Sequence, residues 1–411
     1  MGIYKTAIIV GFTASIARWL PEFTLRSCLW WLINEYHIDG WVAPGYEKVY
    51  DAFKSNFVNG FDKDGAAFAA YHKQKLVVDI WGGYANTEME RPWKRDTITV
   101  FYSSTKVIPA IAMALLVDRG IVQYEDLVSK YWPEFSQNGK QNITIGMVMS
   151  HSSGVFATTA PLTRELLQDY KALGRAIAET PPAWPPGRAH GYHGLTLGTI
   201  TDQIVSRADP QHRNLSKFAE EELFKVLDLK DIRIGFDLAN YHRIAYPKPR
   251  GFWHSWKITG YSPQYVVFFI RLMLSMQYLF ANPDNSDLDI SAANGYGTAR
   301  DLARLVSEFG SHGGHLVSDG FVQKQIVQTA DAEEIDLVLG VPVQWGRGFF
   351  MEKSPKGDLT LGNLGSGGQI VRSDPAKHIT FAYLTNGLSM VMKDNRWLNL
   401  EAALYDCIQV E

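Results

Sequence analysis

The stretch VFYSSTKVIPAIAMALLVDRG, residues Val100 to Gly120, joins a short polar segment to a long apolar run. The apolar run predicts a helix, and Gly120 stands where the residue after a helix C-terminus often adopts a left-handed conformation. Ser103 and Lys106 are three residues apart at the start of this helix. Residues at this spacing share one helix face, so the Lys106 amine is expected near the Ser103 hydroxyl.

This pair of residues has two interpretations. A serine hydroxyl is a weak nucleophile that needs a neighbouring base, and the N–H groups at a helix N-terminus can stabilise a developing oxyanion. Ser103 and Lys106 fit that chemistry, but about one Ser-x-x-Lys match is expected by chance in a chain of this length. The alternative is that Ser103 or Ser104 caps the helix while Lys106 is solvated.

A second candidate is Tyr192, in PAWPPGRAHGYHGLTLGTITDQIV, a loop rich in Gly and Pro that precedes a helix. A tyrosine pKa is normally near 10, and a nearby ammonium favours the phenolate. Lys106 would thus make Tyr192 a base for the Ser103 proton and then an acid for the leaving group. The alternative is a buried aromatic ring that anchors the loop.

Strand signals occur at both ends of the region beyond residue 60. AAFAAYHKQKLVVDIWGGYA predicts a hairpin around the turn Lys73 to Lys75, and GGQIVRSD and HITFAYLTNG flank a turn at Asp374 to Lys377. The middle is mostly helical in pattern, with helices predicted in Gly194 to Pro210, Leu215 to Leu227 and Ala299 to Gly310.

This arrangement predicts an α+β fold with one antiparallel sheet flanked by helices. The sheet lobe is expected to come from about residues 60–100 and 330–411, and the helical lobe from about residues 104–329. An N-terminal apolar segment, residues 1–45, is expected to precede the domain of residues 46–411.

Composition excludes some functions. The formal net charge is −3, which argues against nucleic acid as a partner because phosphate binding needs a concentrated basic field. The only cysteines, Cys28 and Cys407, lack metal-ligand spacing and form no disulfide framework. No H-E-x-x-H or G-x-S-x-G motif is present, and we expect neither a metal nor a cofactor.

Two apolar runs raise the question of a membrane. Thr6 to Ala17 is short for a span and resembles the hydrophobic core of a signal peptide. Tyr265 to Phe280 is short for a span and contains Arg271, so a buried helix is favoured. The basic aromatic stretch before it, Lys248 to Lys257, keeps a membrane-surface segment open as the alternative. A membrane-associated or secretory location is slightly favoured, and a cytoplasmic or organellar one stays open.

Several segments together resemble the serine β-lactamase-related family. This family includes class C β-lactamases, penicillin-binding-protein-like peptidases, esterase relatives and eukaryotic β-lactamase-like proteins. The resemblance covers roughly residues 48–405 and is carried by five segments in the family's order: FYSSTK, LLVDRGIVQYEDLVSKYWPEF, ITIGMVMSHSSGV, PPGRAHGYHGLTLG and GNLGSGGQIVRSDP.

The resemblance implies roles for individual residues. Ser103 would be the acylated nucleophile, Lys106 its partner and Tyr192 the tyrosine of the second motif. The N–H groups of Ser103 and Ser366 would form the oxyanion hole. His193 follows Tyr192, where β-lactamases carry a polar pair ending in Asn, and this departure is closer to the esterase and eukaryotic branches.

The third motif departs further, because Asn363-Leu364-Gly365 stands where relatives have Lys-Thr-Gly or His-x-Gly. Asn363 cannot supply the positive charge that would lower the pKa of Tyr192. If that charge lowers the pKa by about one unit, its absence leaves roughly tenfold less of Tyr192 ionised as a base. Pro109 is a further oddity, since its ring would crowd the Thr105 carbonyl unless the helix starts late or kinks.

Two histidines also attract attention. His151 is expected in a structural turn, whereas His193 is a candidate for substrate contact because it adjoins Tyr192.

The sequence therefore predicts a serine hydrolase that forms a covalent acyl-enzyme on an ester or amide. Its substrate would be a small molecule, or a peptide or lipid ester. The alternative is a weakly active or inactive scaffold or assembly protein of the same fold, which the altered third motif and Pro109 would favour. Membrane association and oligomer formation both stay open.

Overall fold

The fold was obtained as a computed structural model, which describes residues 37–249, 282–285, 288–310, 314–330, 332–389 and 393–408. The chain divides into two units, residues 1–37 and residues 38–411.

The described chain contains fifteen strands and ten α-helices. The strands are β1 Ile38–Val42, β2 Gly65–His72, β3 Lys75–Asn86, β4 Arg91–Pro92, β5 Thr99–Val100, β6 Ile232–Ile234, β7 Lys248–Pro249, β8 Gly295–Gly297, β9 Glu334–Ile335, β10 Pro342–Trp345, β11 Phe350–Lys353, β12 Leu359–Gly365, β13 Gln369–Asp374, β14 Ile379–Thr385 and β15 Gly387–Leu388. The α-helices are α1 Glu47–Val58, α2 Val107–Asp118, α3 Val128–Tyr131, α4 Ile145–Met149, α5 Arg164–Gln168, α6 Tyr170–Glu179, α7 Thr196–Ala208, α8 Leu215–Ala219, α9 Ala299–Gly310 and α10 Asn395–Cys407. Shorter 3₁₀ segments span Tyr102–Lys106, Pro133–Ser136, Leu238–Arg243 and Pro283–Asn285, and π turns span Glu220–Phe224 and Gln323–Val327.

Ten strands of the described chain form one large sheet. The order of the main path is β1-β3-β2-β14-β13-β12-β11-β10-β9, and β4 pairs with β3. Every pairing in this sheet is antiparallel, and β2 lies against β14 with Ala67 opposite Leu384. The predicted α+β fold with a sheet built from distant strands is confirmed.

The hairpin β2–β3 has a tighter turn than its sequence suggests. Lys73 and Gln74 both have positive φ, at 50° and 61°, and Lys75 already belongs to β3. Two consecutive left-handed residues form the turn type whose twist matches that of paired strands. The N–H of Lys73 also donates to the His378 carbonyl across the sheet at 2.8 Å.

The sheet begins earlier than the predicted boundary at residues 45/46. Ile38–Val42 pairs with β3 along its whole length, with Ile38 opposite Gly82 and Val42 opposite Val78. The strand is short and mostly exposed at the edge of the sheet, so it has no alternation of apolar and polar residues that would announce it. The sheet therefore includes these residues.

Helix α2 explains how Pro109 is tolerated. The α-helix begins only at Val107, after the 3₁₀ segment Tyr102–Lys106, so Pro109 lies in its first turn. An N–H in the first turn has no acceptor within the helix, so proline removes little there. Every residue from Val107 to Val117 is buried, which makes α2 a central helix of the core.

The other predicted helices form, and two of them have changed ends. Ala299–Gly310 is helical over the predicted range, and the helix predicted from Gly194 begins at Thr196. The stretch predicted from Leu215 to Leu227 is helical only to Ala219 and then widens into a π turn.

The two membrane candidates, Thr6 to Ala17 and Tyr265 to Phe280, lie outside the described residues. In the part of the chain that is described, no helix combines the length and the apolar character that a membrane span requires. Membrane association and oligomer formation stay predictions.

Helix α7 carries a buried acid whose ionisation is coupled to stability. Asp202 is buried, and its Oδ1 accepts the N–H of Leu215 at 2.7 Å. Burial, and to a smaller extent the nearby Asp289 carboxylate, raise the pKa of this carboxyl group from 3.8 to about 7, against smaller opposing effects of the Leu215 N–H and of Arg207. At this position the folded protein keeps a proton that the unfolded chain has lost between about pH 4 and pH 7, so the contribution of Asp202 to stability falls as the pH rises through this range.

We expect Asp202→Asn to remove this fall, because asparagine is uncharged and keeps an oxygen for the Leu215 N–H. The measurement is the free energy of unfolding in urea from about pH 4 to pH 8. The wild-type value should decline relative to that of the variant by up to about 1.4 kcal/mol per pH unit. Parallel curves for the two proteins would contradict the raised pKa of Asp202.

Candidate active site

The segment with Ser103 and Lys106 is a 3₁₀ helix held on two sides. Ser104 Oγ donates to the Asn363 carbonyl of β12 at 3.0 Å. Thr105 Oγ1 accepts the N–H of Gly295, at the start of β8, at 2.8 Å. A 3₁₀ helix has three residues per turn, so side chains three apart eclipse each other. Ser103 and Lys106 therefore lie one above the other, more directly than the predicted α-helix would place them.

The three predicted catalytic side chains converge on one atom. Tyr192 Oη donates to Ser103 Oγ at 2.7 Å, and Lys106 Nζ lies 3.4 Å from the same oxygen. Lys106 Nζ also lies over the ring of Tyr192, 4.7 Å from its centre. Ser103 and Tyr192 are each partly exposed, whereas Lys106 is fully buried. Ser103 is thus the reachable atom, with Lys106 beneath it.

Lys106 is bonded to two carbonyl groups. Its Nζ donates to the Gly194 carbonyl at 2.7 Å and to the Ala292 carbonyl at 3.0 Å. Burial without a facing carboxylate lowers the pKa of Lys106 to about 7. A neutral amine has two N–H groups and one lone pair, so the two carbonyls occupy both donors. The lone pair then remains for the proton of Ser103.

Tyr192 differs from its predicted ionisation. Burial raises the pKa of Tyr192 above its ordinary value, the bond with Ser103 lowers it by less, and the Asp336 carboxylate raises it. The sequence had suggested that a Lys106 ammonium would favour the phenolate. Lys106 is itself pushed toward the neutral form, so it supplies little charge for that purpose. The Tyr192 hydroxyl is therefore a proton donor in the resting site.

The third motif lies beside the 3₁₀ segment at the end of β12. Asn363 is buried, and its Nδ2 donates to the Gly348 carbonyl at 3.0 Å. An ideal Cβ placed on Gly365 would lie 2.2 Å from the Phe101 carbonyl oxygen, so only glycine allows β12 to come this close. Ser366 follows directly and is partly exposed. The motif brings the Ser366 backbone next to the segment with Ser103. The Asn363 side-chain amide is hydrogen-bonded to a backbone carbonyl, that of Gly348.

His193 and His151 are both interior residues. His193 is fully buried, with Nε2 2.7 Å from Ser153 Oγ and Nδ1 2.6 Å from the Gly191 carbonyl, so its side chain is not exposed to a substrate. His151 Nδ1 accepts the N–H of His193 at 2.9 Å, and His151 has a positive φ of 58°. This is the turn expected for His151. Burial lowers the pKa of both imidazoles, so both are neutral near pH 7.

Sequence reasoning missed two residues that contact Tyr192. Asp336 accepts the Tyr192 N–H at 3.0 Å, and Trp345 stacks on the Tyr192 ring. Neither residue belongs to a short motif with a known chemical role, and both are far from Tyr192 in the chain. Within the described residues, no group of three His, Cys, Asp or Glu side chains is arranged to hold a metal ion.

Comparison with known families extends over most of the chain. A family model described as Beta-lactamase matches residues 53–404. The chain belongs to the beta-lactamase family. The match includes the 3₁₀ segment, the loop with Tyr192 and the third motif at Asn363 to Gly365.

Several proteins are similar to this beta-lactamase family member over nearly its whole length. The "Esterase/beta-lactamase LipL" of Mycobacterium tuberculosis is 29% identical over 379 residues, which cover 87% of this chain and 85% of that protein. A solved structure titled as a family VIII carboxylesterase has a TM-score of 0.79 and 28% identity, covering 90% of this chain and 100% of that one. A penicillin-binding protein homologue from Caulobacter crescentus has a TM-score of 0.76 and 27% identity, with coverages of 90% and 100%.

These relatives support a function of the serine hydrolase type for this beta-lactamase family member. Their names differ in the reaction they indicate, so the substrate must be argued from the site itself.

Proposed function

We propose that the protein is a serine hydrolase that acts on carboxylic esters through a covalent acyl-enzyme on Ser103. The observation that carries this proposal is the convergence of Tyr192 Oη, at 2.7 Å, and Lys106 Nζ, at 3.4 Å, on Ser103 Oγ. A nucleophile within reach of a base and of a second proton-transfer group is the arrangement that acyl transfer needs.

Acylation follows from the protonation states of the resting site. Ser103 Oγ attacks the acyl carbon while its proton passes to the neutral Lys106 Nζ. The bond to the leaving group then breaks, and the leaving oxygen takes the proton of Tyr192. The acyl-enzyme is left with a Lys106 ammonium and a Tyr192 phenolate, which stabilise each other at short range.

Deacylation reverses these roles with water. The Tyr192 phenolate takes a proton from water, and the resulting hydroxide attacks the acyl carbon. Ser103 Oγ leaves and takes the proton held by Lys106, which restores the starting state. The net reaction consumes one water and yields an acid and an alcohol.

The oxyanion is assigned to two N–H groups. Ser103 is the second residue of its helix, ahead of the first intrahelical hydrogen bond, which joins the Ser104 N–H to the Phe101 carbonyl at 3.1 Å. The Ser366 N–H, just beyond β12, is the second donor. Donors placed before the reaction begins can stabilise the transition-state charge without reorganisation.

The altered third motif favours esters over substrates that carry a carboxylate. Asn363 has no charge, and its amide is bonded to the Gly348 carbonyl, so this position offers no cation to a substrate carboxylate. Esters have alkoxide leaving groups that are easier to expel than amines. The esterase names among the relatives support the same choice.

The test is covalent labelling with a fluorophosphonate probe, followed by mass spectrometry. We expect one label per chain on the wild-type protein, located on Ser103, and no label on Ser103→Ala. Ser104→Ala is the matched control, because the neighbouring serine is buried with its hydroxyl on the Asn363 carbonyl, and this variant should still be labelled.

Two outcomes would contradict the proposal. One is folded wild-type protein that neither takes up the probe nor hydrolyses an activated ester, which would favour the scaffold alternative. The other is equal labelling of Ser103→Ala, which would place the nucleophile elsewhere.

A further inference from the structure

A buried carboxylate lies behind Tyr192. Asp336 is fully buried just after β9, and its Oδ1 accepts the N–H groups of Tyr192 at 3.0 Å, Val338 at 2.9 Å and Leu339 at 2.8 Å. Its Oδ2 accepts the indole N–H of Trp345 at 3.1 Å. Both carboxylate oxygens of Asp336 therefore accept hydrogen bonds, Oδ1 from backbone groups and Oδ2 from a side chain.

Trp345 connects this carboxylate to the ring of Tyr192. The two rings are stacked, with centres 5.8 Å apart and planes 11° from parallel. Trp345 is buried at the end of β10, so the indole is held by the sheet as well as by Asp336. Asp336 thus contacts the Tyr192 backbone directly and is linked to the Tyr192 ring through Trp345.

The chain around Asp336 is itself fixed. The Asp336 N–H donates to the Val341 carbonyl at 3.0 Å, and the Gly340 N–H donates to the Asp336 carbonyl at 2.7 Å. The N–H of Leu337 reaches the His190 carbonyl at 2.8 Å, two residues before Tyr192. The turn between β9 and β10 is therefore tied to the loop that carries Tyr192.

Such support matters because Tyr192 lies outside any helix or strand, just before α7. A loop residue depends on contacts from other segments to hold its side chain in place. Its bond to Ser103 Oγ is short, and a misplacement of about 1 Å at a reacting group can cost on the order of a hundredfold in rate.

We propose that Asp336 is a positioning residue for Tyr192, which it holds at the backbone through Oδ1 and at the ring through Trp345 and Oδ2. This inference rests on the proposed function, because it assigns Asp336 to the same reaction. Asp336 does not touch the reacting atoms and acts only through Tyr192.

The test uses one substitution at each end of the hydrogen bond between Asp336 and Trp345. Trp345→Phe keeps an aromatic ring for stacking but removes the indole donor to Oδ2 together with part of the ring, and Asp336→Asn removes the charge. We expect each to lower kcat for an activated ester by about 10- to 100-fold while KM changes by less than about twofold. Trp132→Phe is the matched control, because Trp132 is as deeply buried as Trp345 and packs on Phe135, and its kcat should stay close to the wild-type value.

A double-mutant cycle separates positioning from general destabilisation. The quantity compared in this cycle is the rate of fluorophosphonate labelling. Adding Trp345→Phe to the Tyr192→Phe variant should lower this rate by less than about twofold, because no Tyr192 hydroxyl remains to be positioned. If Trp345→Phe alone has the wild-type kcat, or costs the same with and without the Tyr192 hydroxyl, the inference is wrong. Should Asp336→Asn fail to fold, Trp345→Phe decides the question.

Failure of this inference is distinguishable from failure of the proposed function. Ser103→Ala with wild-type turnover would overturn the proposed function and the inference together. An inactive Ser103→Ala alongside a fully active Trp345→Phe would overturn only the role of Asp336.

Discussion

Lys106→Met is expected to lower kcat for ester hydrolysis by about a thousandfold or more, since it removes the proposed proton acceptor for Ser103 and keeps a similar side-chain volume. The Lys106 amine is the buried group with a lone pair next to Ser103 Oγ, and methionine offers neither a base nor a donor. Steady-state kinetics on an activated ester provide the measurement.

The chain offers a closely matched control in Lys140. This second lysine is also fully buried, donates to two carbonyls, those of Ala178 at 2.8 Å and Thr180 at 2.6 Å, and lies 5.3 Å from the centre of the Phe135 ring. Lys140→Met removes the same number of carbonyl bonds away from Ser103. We expect it to lower stability but to leave kcat within about twofold of the wild-type value. Equal losses of kcat in the two variants would mean that Lys106 has only a structural role.

The pH profile gives an independent reading of Lys106. Burial lowers its pKa to about 7, and only the neutral amine accepts the Ser103 proton. The value of kcat/KM should therefore rise with pH through about 7 and then level off while Tyr192 stays protonated. Residual activity of Lys106→Met should lack this rise, and a wild-type profile that is flat from pH 5 to about pH 9 would contradict the assignment.

Arg396→Met is expected to lower the free energy of unfolding by about 3–5 kcal/mol, the largest stability effect we expect in this protein. Arg396, Asp394 and Asp62 are all fully buried. Arg396 Nη2 lies 2.6 Å from Asp394 Oδ2, and Nη1 lies 3.6 Å from Asp62 Oδ1. Removing the guanidinium leaves two buried carboxylates without their cation.

The same guanidinium also supports the backbone near the third motif. It donates to the Gly367 carbonyl at 2.9 Å and to the Gly387 carbonyl at 2.6 Å. Both carbonyls lose a donor in Arg396→Met, and an unsatisfied buried acceptor costs about 1–3 kcal/mol. The Arg396→Met substitution would therefore remove the ion pair and also loosen the turn that follows Ser366.

Urea denaturation measures this effect, with Arg95→Met as the control. The Arg95 side chain is 61% exposed and lies 3.3 Å from Asp79, so its removal should cost less than about 1 kcal/mol. If Arg396→Met is no more destabilising than Arg95→Met, the buried network does not stabilise the fold in the way the geometry implies.

Much of the fold could be predicted because its signals are local. The hairpin of β2 and β3 is announced by apolar β-rich runs around a polar turn, and α9 by its helical period and matching ends. The strand Ile38–Val42 could not be predicted, because it is defined by its pairing with β3 and has no pattern of its own.

The site was partly predictable for a similar reason. Ser103 and Lys106 are close in sequence, so their proximity follows from any helical geometry, and Tyr192 was found through its resemblance to a known motif. Asp336 and Trp345 gave no signal, because their role exists only once the turn between β9 and β10 lies beside the Tyr192 loop.

By itself, the sequence determined the sheet-and-helix plan, the Ser103–Lys106 spacing and the neutral third-motif residue Asn363. The tertiary structure decided what these residues can do. A pKa depends on solvent access and on groups from distant segments, so only the packed fold lowers the pKa of Lys106 to about 7 and raises that of Tyr192. It also directs the Asn363 amide to the Gly348 carbonyl, since that partner reaches Asn363 only in the folded chain.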